Sequence, residues 1–170
     1  MSRDYPDWLN PYKGAQARRE FAGTMRLSDL RQVLDLIDDP GESEIAFGLE
    51  FDLVEQRQVR ASVRVSGDVP MICQRTLRPY RQPISSASVV GIVDSETSAA
   101  ALPDDYEPLI LTEPRLRVVD LVAEEVLLAL PLVPKAPDSE PIGNGIATGF
   151  EEDDSHQPFA VLADLANRRS

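Results

Sequence analysis

The chain has 170 residues, 42% of them hydrophobic, which suits one domain with tails and a modest core. No apolar run is long enough for a membrane-spanning helix, and a single cysteine excludes an internal disulfide. The net charge of −12 is unevenly spread: residues 1–93 hold 12 Lys+Arg against 13 Asp+Glu, whereas residues 94–155 hold 3 against 15. Such an acidic band repels phosphate and attracts basic proteins. The polar start (Ser2, Arg3, Asp4, Asp7) has no signal-peptide apolar segment, and with the lone cysteine it points to the cytoplasm.

Residues 1–17, with Pro6, Asn10, Pro11 and Gly14 between aromatic residues, read as a flexible N-terminal arm. It either lays Trp8 on the domain or stays a disordered tail. Arg18 to Met25 predicts a first strand around Phe21. Ser28 is a candidate N-cap for a helix whose Leu30, Val33, Leu34 and Ile37 share one stripe, ended by Asp38 to Gly41. Ile45, Phe47, Leu49, Phe51 and Leu53 then alternate with polar or small residues, a half-buried strand of period two. After a turn at residues 55–58, Val59, Ala61, Val63 and Val65 return with the same alternation. The apolar faces agree only in an even register such as Leu53 opposite Val59.

Gly67-Asp68 reads as a turn, Val69 to Ile72 as a strand, Leu77 to Arg81 as irregular, and Ile84 to Val93 as another strand. An acidic, Pro-punctuated approach, Leu102 to Pro108, leads into a short strand over Leu109 to Thr112. Asp120 is the expected N-cap of a core helix over Leu121 to Leu130, which Pro131 stops. The set predicts an α+β fold: roughly five antiparallel strands, in an open sheet or one curled toward a barrel, with a few packed helices. The domain is expected over 18–134, an acidic flexible linker over 135–157, and a short C-terminal helix over 158–170 with Phe159, Leu162 and Leu165 on one side.

The stretch Asp120-Leu121-Val122-Ala123-Glu124-Glu125-Val126-Leu127-Leu128-Ala129-Leu130-Pro131 resembles the signature of the bacterial YceD family, the large ribosomal RNA subunit accumulation proteins. The approach at 102–108, the Cys73-Gln74-Arg75 element and the tail Pro158 to Leu165 fit the same family in the same order. In many family members the element at Cys73 is Cys-x-x-Cys with further cysteine downstream, which looks like a zinc site. Here Thr76 takes the second position and the one histidine, His156, lies in the linker, so four good zinc ligands are lacking. No metal or other cofactor is expected, and Cys73 reads as a structural residue ahead of a reactive thiol.

Arg60 and Arg64 share the outer face of a strand, and Arg75, Arg78 and Arg81 flank the loop after it. Arginine forks suit phosphate oxygens, so these five are the candidate RNA contacts; the alternative is a solvated face balanced by Glu50 and Asp52. Asp104, Asp105 and Glu107 are the candidate contacts for a basic partner, joined by Phe159, Leu162 and Leu165, whose helix either folds back or docks in a partner's groove. Glu124 and Glu125 read as the polar edge of the core helix. No nucleophile–base pair offers itself, so no catalytic residue is assigned.

The chain reads as a cytoplasmic, non-enzymatic factor and is expected to be a monomer. The resemblance implies a role in accumulation of large-subunit ribosomal RNA and assembly of that subunit; ribosomal RNA, the pre-ribosomal large subunit or a basic ribosomal protein is the expected partner. The competing reading is an acidic holdase for a nascent basic ribosomal protein, with no RNA contact.

Overall fold

The structure is a computed structural model, and it describes residues 5–54 and 58–139. The expected linker beyond Ser139 and the C-terminal helix, with Phe159, Leu162 and Leu165, lie outside the described residues. In chain order the elements are β1 (Trp8–Leu9), α1 (Pro11–Gln16), β2 (Glu20–Arg26), a 3-10 turn (Leu27–Asp29), α2 (Arg31–Leu34), β3 (Glu44–Leu53), β4 (Val59–Ile72), β5 (Pro79–Val93), α3 (Glu96–Ala99), β6 (Glu107–Ile110), β7 (Leu116–Arg117) and α4 (Val118–Ala129).

The main sheet has five strands in the order β2-β3-β4-β5-β6, so it is α+β as expected and open rather than curled into a barrel. The β3–β4 hairpin takes the expected register, with Leu53 opposite Val59 and Ile45 opposite Gly67. Val54 N–H donates to Gln58 O at 3.0 Å and closes the hairpin. Alternation then does the rest. Ile45, Phe47, Leu49 and Phe51 of β3, and Val59, Ala61, Val63 and Val65 of β4, all face the core. Leu53, at the end of β3, stays exposed.

Several expectations are corrected. The sheet is mixed: β6 runs parallel to β5. A parallel neighbour needs a crossover rather than a tight hairpin. Residues 94–106 supply it, with Leu102 lying over Gly91 of β5. Gly67-Asp68 is not a turn. β4 runs straight through it, with Val69 and Met71 buried on the face that Val63 and Val65 began. β5 correspondingly starts at Pro79, within the span expected to be irregular, and pairs with β4 as far as Ile72 opposite Pro79.

The helix expected over Leu30 to Ile37 is broken. Leu30 separates the 3-10 turn from the four-residue α2, and Ser28 makes no capping bond. Of the expected stripe, Leu30 and Val33 are fully buried, beside Leu27, while Leu34 and Ile37 are half-buried. Helix α4 begins at Val118, two residues before Asp120, with Arg117 at its cap. Asp120 lies in its first turn, where a negative charge suits the dipole.

Residues 5–17 are built into the fold rather than lying loose. Asn10 Oδ1 accepts from Lys13 N at 3.0 Å and Pro11 takes the first helical position, so α1 has a side-chain cap and a favoured opening. Ala15 is buried, Gly14 brings α1 onto the Phe51 ring, and Tyr5 meets Phe47 edge-on at 4.9 Å. Helix α4 lies across β4 and β5, and α2 packs beside it. The opposite face of the sheet carries the polar half of the alternation.

Candidate functional surfaces

The five arginines do not converge. Arg60 sits opposite Asp52 and reaches it with both arms of its fork, Nε donating to Oδ1 at 2.9 Å. Asp52 and then the Tyr106 hydroxyl hold its guanidinium protonated more firmly still than an ordinary arginine. Arg64 pairs with Glu50. Both therefore lie on the outer face, each beside a carboxylate. Arg64 also walls a shallow trough of about 630 Å³ floored by small residues, among them Ala22, Ala46, Gly48, Ser66 and Ser85.

The other three lie around the far end of the β4–β5 hairpin. Arg75 donates to the Ser139 carbonyl, Arg78 is exposed, and Arg81 donates to Ser43 Oγ at 3.1 and 3.3 Å. Arg81 is ten residues along β5 from Gly91, the partner of Arg60, so about 33 Å of strand separates the two ends.

Asp104, Asp105 and Glu107 are exposed, Glu107 as the first residue of β6. Partial burial, followed by the charges of Asp120 and Glu107, raises the pKa of Glu124. Glu107 of β6 and Asp120 of α4 thus both act on Glu124. Leu128, one helical turn beyond Glu124, is 61% exposed, and Leu132 and Val133 follow it in the open. This acidic surface thus has an apolar end.

Cys73 is shut away from solvent, yet donors ring its sulfur. The Thr76 hydroxyl contributes most to drawing the thiol from 9.0 down to about 6. Burial opposes it, and the amides of Ala136, Thr76 and Arg75 assist. Ala136 N lies 3.3 Å from Sγ, and Gln74 N–H donates to Pro134 O at 2.8 Å, so the hairpin loop and the segment after α4 are clipped together. Among the described residues no group of three or more His, Cys, Asp or Glu side chains is placed to hold a metal ion.

Two features were missed from the sequence. Glu125 is not a polar edge: it is 3% exposed and its Oε2 accepts from Ser88 Oγ. The signal was its spacing, since residue 125 follows Leu121 and Val122 on the buried stripe. The other is the ribbon of β1 and β7, where Trp8 lies opposite Arg117. Strands of two residues leave no periodic signal, so the sequence offered none.

An open mixed sheet with a helix across one face defines a small α+β protein. The sequence profile of the family described as large ribosomal RNA subunit accumulation protein YceD matches residues 61–166, and this chain belongs to that family. It is 28% identical over 169 residues to a Haemophilus influenzae protein named large ribosomal RNA subunit accumulation protein YceD, covering 96% of this chain and 97% of that one. No solved structure matches it. No helix among the described residues is long and apolar enough to cross a membrane.

Proposed function

We propose that this chain is a cytoplasmic, non-enzymatic factor that promotes accumulation of large-subunit ribosomal RNA, and with it assembly of the large ribosomal subunit. The observation that carries this reading is the family match over residues 61–166, together with a relative of that name aligned along nearly the whole of both chains. Binding is the mode of action. The carboxylates of Asp104, Asp105 and Glu107, with Glu124 beside them, hold a Lys/Arg-rich ribosomal protein, and the arginine face meets RNA phosphates.

A second reading, an acidic holdase with no RNA contact, is favoured by the pairing of Arg60 with Asp52 and of Arg64 with Glu50. An ion-paired guanidinium has less charge to offer a phosphate.

The test is the ratio of large- to small-subunit ribosomal RNA in cells lacking the protein. A specific fall, restored by the wild-type chain, is expected; an unchanged ratio overturns the ribosomal reading. Within the same assay, Arg60→Glu with Arg64→Glu abolishes rescue if that face holds RNA. The holdase reading predicts that this pair still rescues and that Asp104→Lys, Asp105→Lys and Glu107→Lys together do not.

A further inference from the structure

The short β1–β7 ribbon sorts its side chains by alternation. Leu9 lies opposite Leu116 on the inner side, and Leu116 and Val118 are buried. Trp8, Arg115 and Arg117 are left on the outer side, exposed. There the Arg115 guanidinium carbon lies 4.1 Å from the centroid of the Trp8 ring, and that of Arg117 lies 5.4 Å away. The indole is still 45% exposed.

An arginine over an indole can keep that contact while N–H groups at the edge of its guanidinium donate to phosphate oxygens. The contrast with the outer face of the main sheet is direct. Arg60 is forked onto Asp52 and Arg64 is paired with Glu50. Among the described residues Arg115 has no carboxylate partner, and Arg117 shares only an exposed contact of 3.3 Å with Asp120. Exposed pairs of that kind are worth less than about 1 kcal/mol and give way to a better anion.

We propose that Trp8, Arg115 and Arg117 form a contact site for single-stranded RNA, in which a base stacks on the exposed indole–guanidinium surface and the guanidinium N–H groups hold flanking phosphates. The ligand is unpaired because a base inside an A-form helix offers no free face to a side chain. An aromatic platform beside cations is the arrangement that binds single strands with little sequence preference. The inference rests on the ribosomal RNA role proposed above and adds an RNA contact separate from the arginines of β4, β5 and the loop between them. The net charge of −12 works against the contact, so affinity is modest and falls with salt. Two phosphate contacts give a log–log slope of about −1.4.

Trp8 is the one tryptophan in the chain, so its emission reports on this site alone. The experiment titrates the full chain with a short oligouridylate, reading Trp8 quenching, and follows labelled RNA by anisotropy for variants that lack the indole. Saturable quenching is expected. Trp8→Ala and Arg115→Gln should each weaken binding about tenfold, Trp8→Phe much less, and Arg60→Gln with Arg64→Gln less than about twofold. Arg115 is exposed and its replacement leaves the core intact.

RNA binding that is indifferent to both Trp8→Ala and Arg115→Gln overturns the site. So does quenching by an acidic peptide as strong as by RNA, which makes the ribbon a protein contact. An absence of RNA binding in a chain that still rescues ribosomal RNA in cells removes the site and leaves the ribosomal role standing. Quenching by RNA with no ribosomal RNA phenotype does the reverse.

Discussion

Glu125 of α4 accepts a hydrogen bond from the Ser88 hydroxyl of β5 through Oε2, while its other carboxylate oxygen, Oε1, has no hydrogen-bond partner among the described residues. A carboxylate 3% exposed and half-satisfied is a costly tenant of a core made largely of Val and Leu. Replacing a buried carboxyl group with an apolar group of similar length often stabilises a fold, because the folded state then no longer pays to desolvate it. Glu125→Met is expected to raise the free energy of urea unfolding by about 1–3 kcal/mol. Glu125→Ala should not share the gain, since it leaves a cavity beside Val122 and Val126. A Met variant less stable than wild type would mean that the carboxylate is better solvated than its surroundings indicate.

The Cys73 thiol gives a second prediction, because its donors hold it near 6. Thiolate absorbance of the folded protein should rise with a midpoint near pH 6, and Thr76→Val should move that midpoint up toward 9.0, since the Thr76 hydroxyl is the largest cause. The folded value lies below the unfolded one. The thiolate's contribution to stability is therefore full above about pH 9 and lost as pH falls through about 6. Wild type should thus gain on Cys73→Ser between those limits and show no further change below them. A midpoint unmoved by Thr76→Val would transfer the effect to the amides. Alkylation of the native thiol should stay slow, because Sγ is buried, and accelerate in denaturant.

These two residues also mark what a sequence reveals. The β3–β4 register was legible because two strands of period two agree in only one parity, and Leu53 does face Val59. Gly67-Asp68 misled for a local reason: its turn composition competed with an alternation that in fact continues through Val69 and Met71. The direction of β6 was not legible, since it depends on how residues 94–106 fold back over Gly91. The outer-face position of Arg60 and Arg64 followed from alternation, and so did the alternative that Glu50 and Asp52 balance them. The Trp8 cluster was hidden because it joins residue 8 to residues 115 and 117 through a ribbon of two-residue strands, too short to leave a periodic signal.

Glu124 supplies a prediction of opposite sign to that of Cys73. Partial burial, Asp120 and Glu107 raise its pKa, so its folded value exceeds its unfolded one. Its favourable contribution is present at acid pH, below the unfolded value, and is lost as pH rises through the folded one. Glu124→Gln should therefore stabilise the protein at pH 7 and be neutral near pH 3. Glu107→Gln should lower the Glu124 titration midpoint seen by NMR. Equal stability of wild type and Glu124→Gln at both pH values would show that solvent screens the three carboxylates fully. A bound basic partner should lower the Glu124 midpoint as well, which makes the same resonance a reporter for the proposed protein contact.

Two glycines of the sheet should respond differently to the same substitution. A Cβ at Gly67 would lie 2.8 Å from Ile45 Cδ1 and 3.0 Å from the Glu44 carbonyl oxygen. The second of these is backbone of the paired strand and cannot step aside, so Gly67→Ala should cost about 1–3 kcal/mol in urea unfolding. A Cβ at Gly91 would meet the Leu102 methyl carbons at 2.7 and 2.8 Å, the far end of a flexible side chain. Gly91→Ala should cost less, because Leu102 can swing out, but its movement loosens the segment that carries Asp104, Asp105 and the Tyr106 hydroxyl beside Arg60. Faster amide exchange confined to residues 100–107 is the expected signature, with β3 and β4 unchanged. An equal loss of stability in both variants would mean that Leu102 is as fixed as a strand, and that the acidic approach is a rigid part of the sheet rather than a cover laid over it.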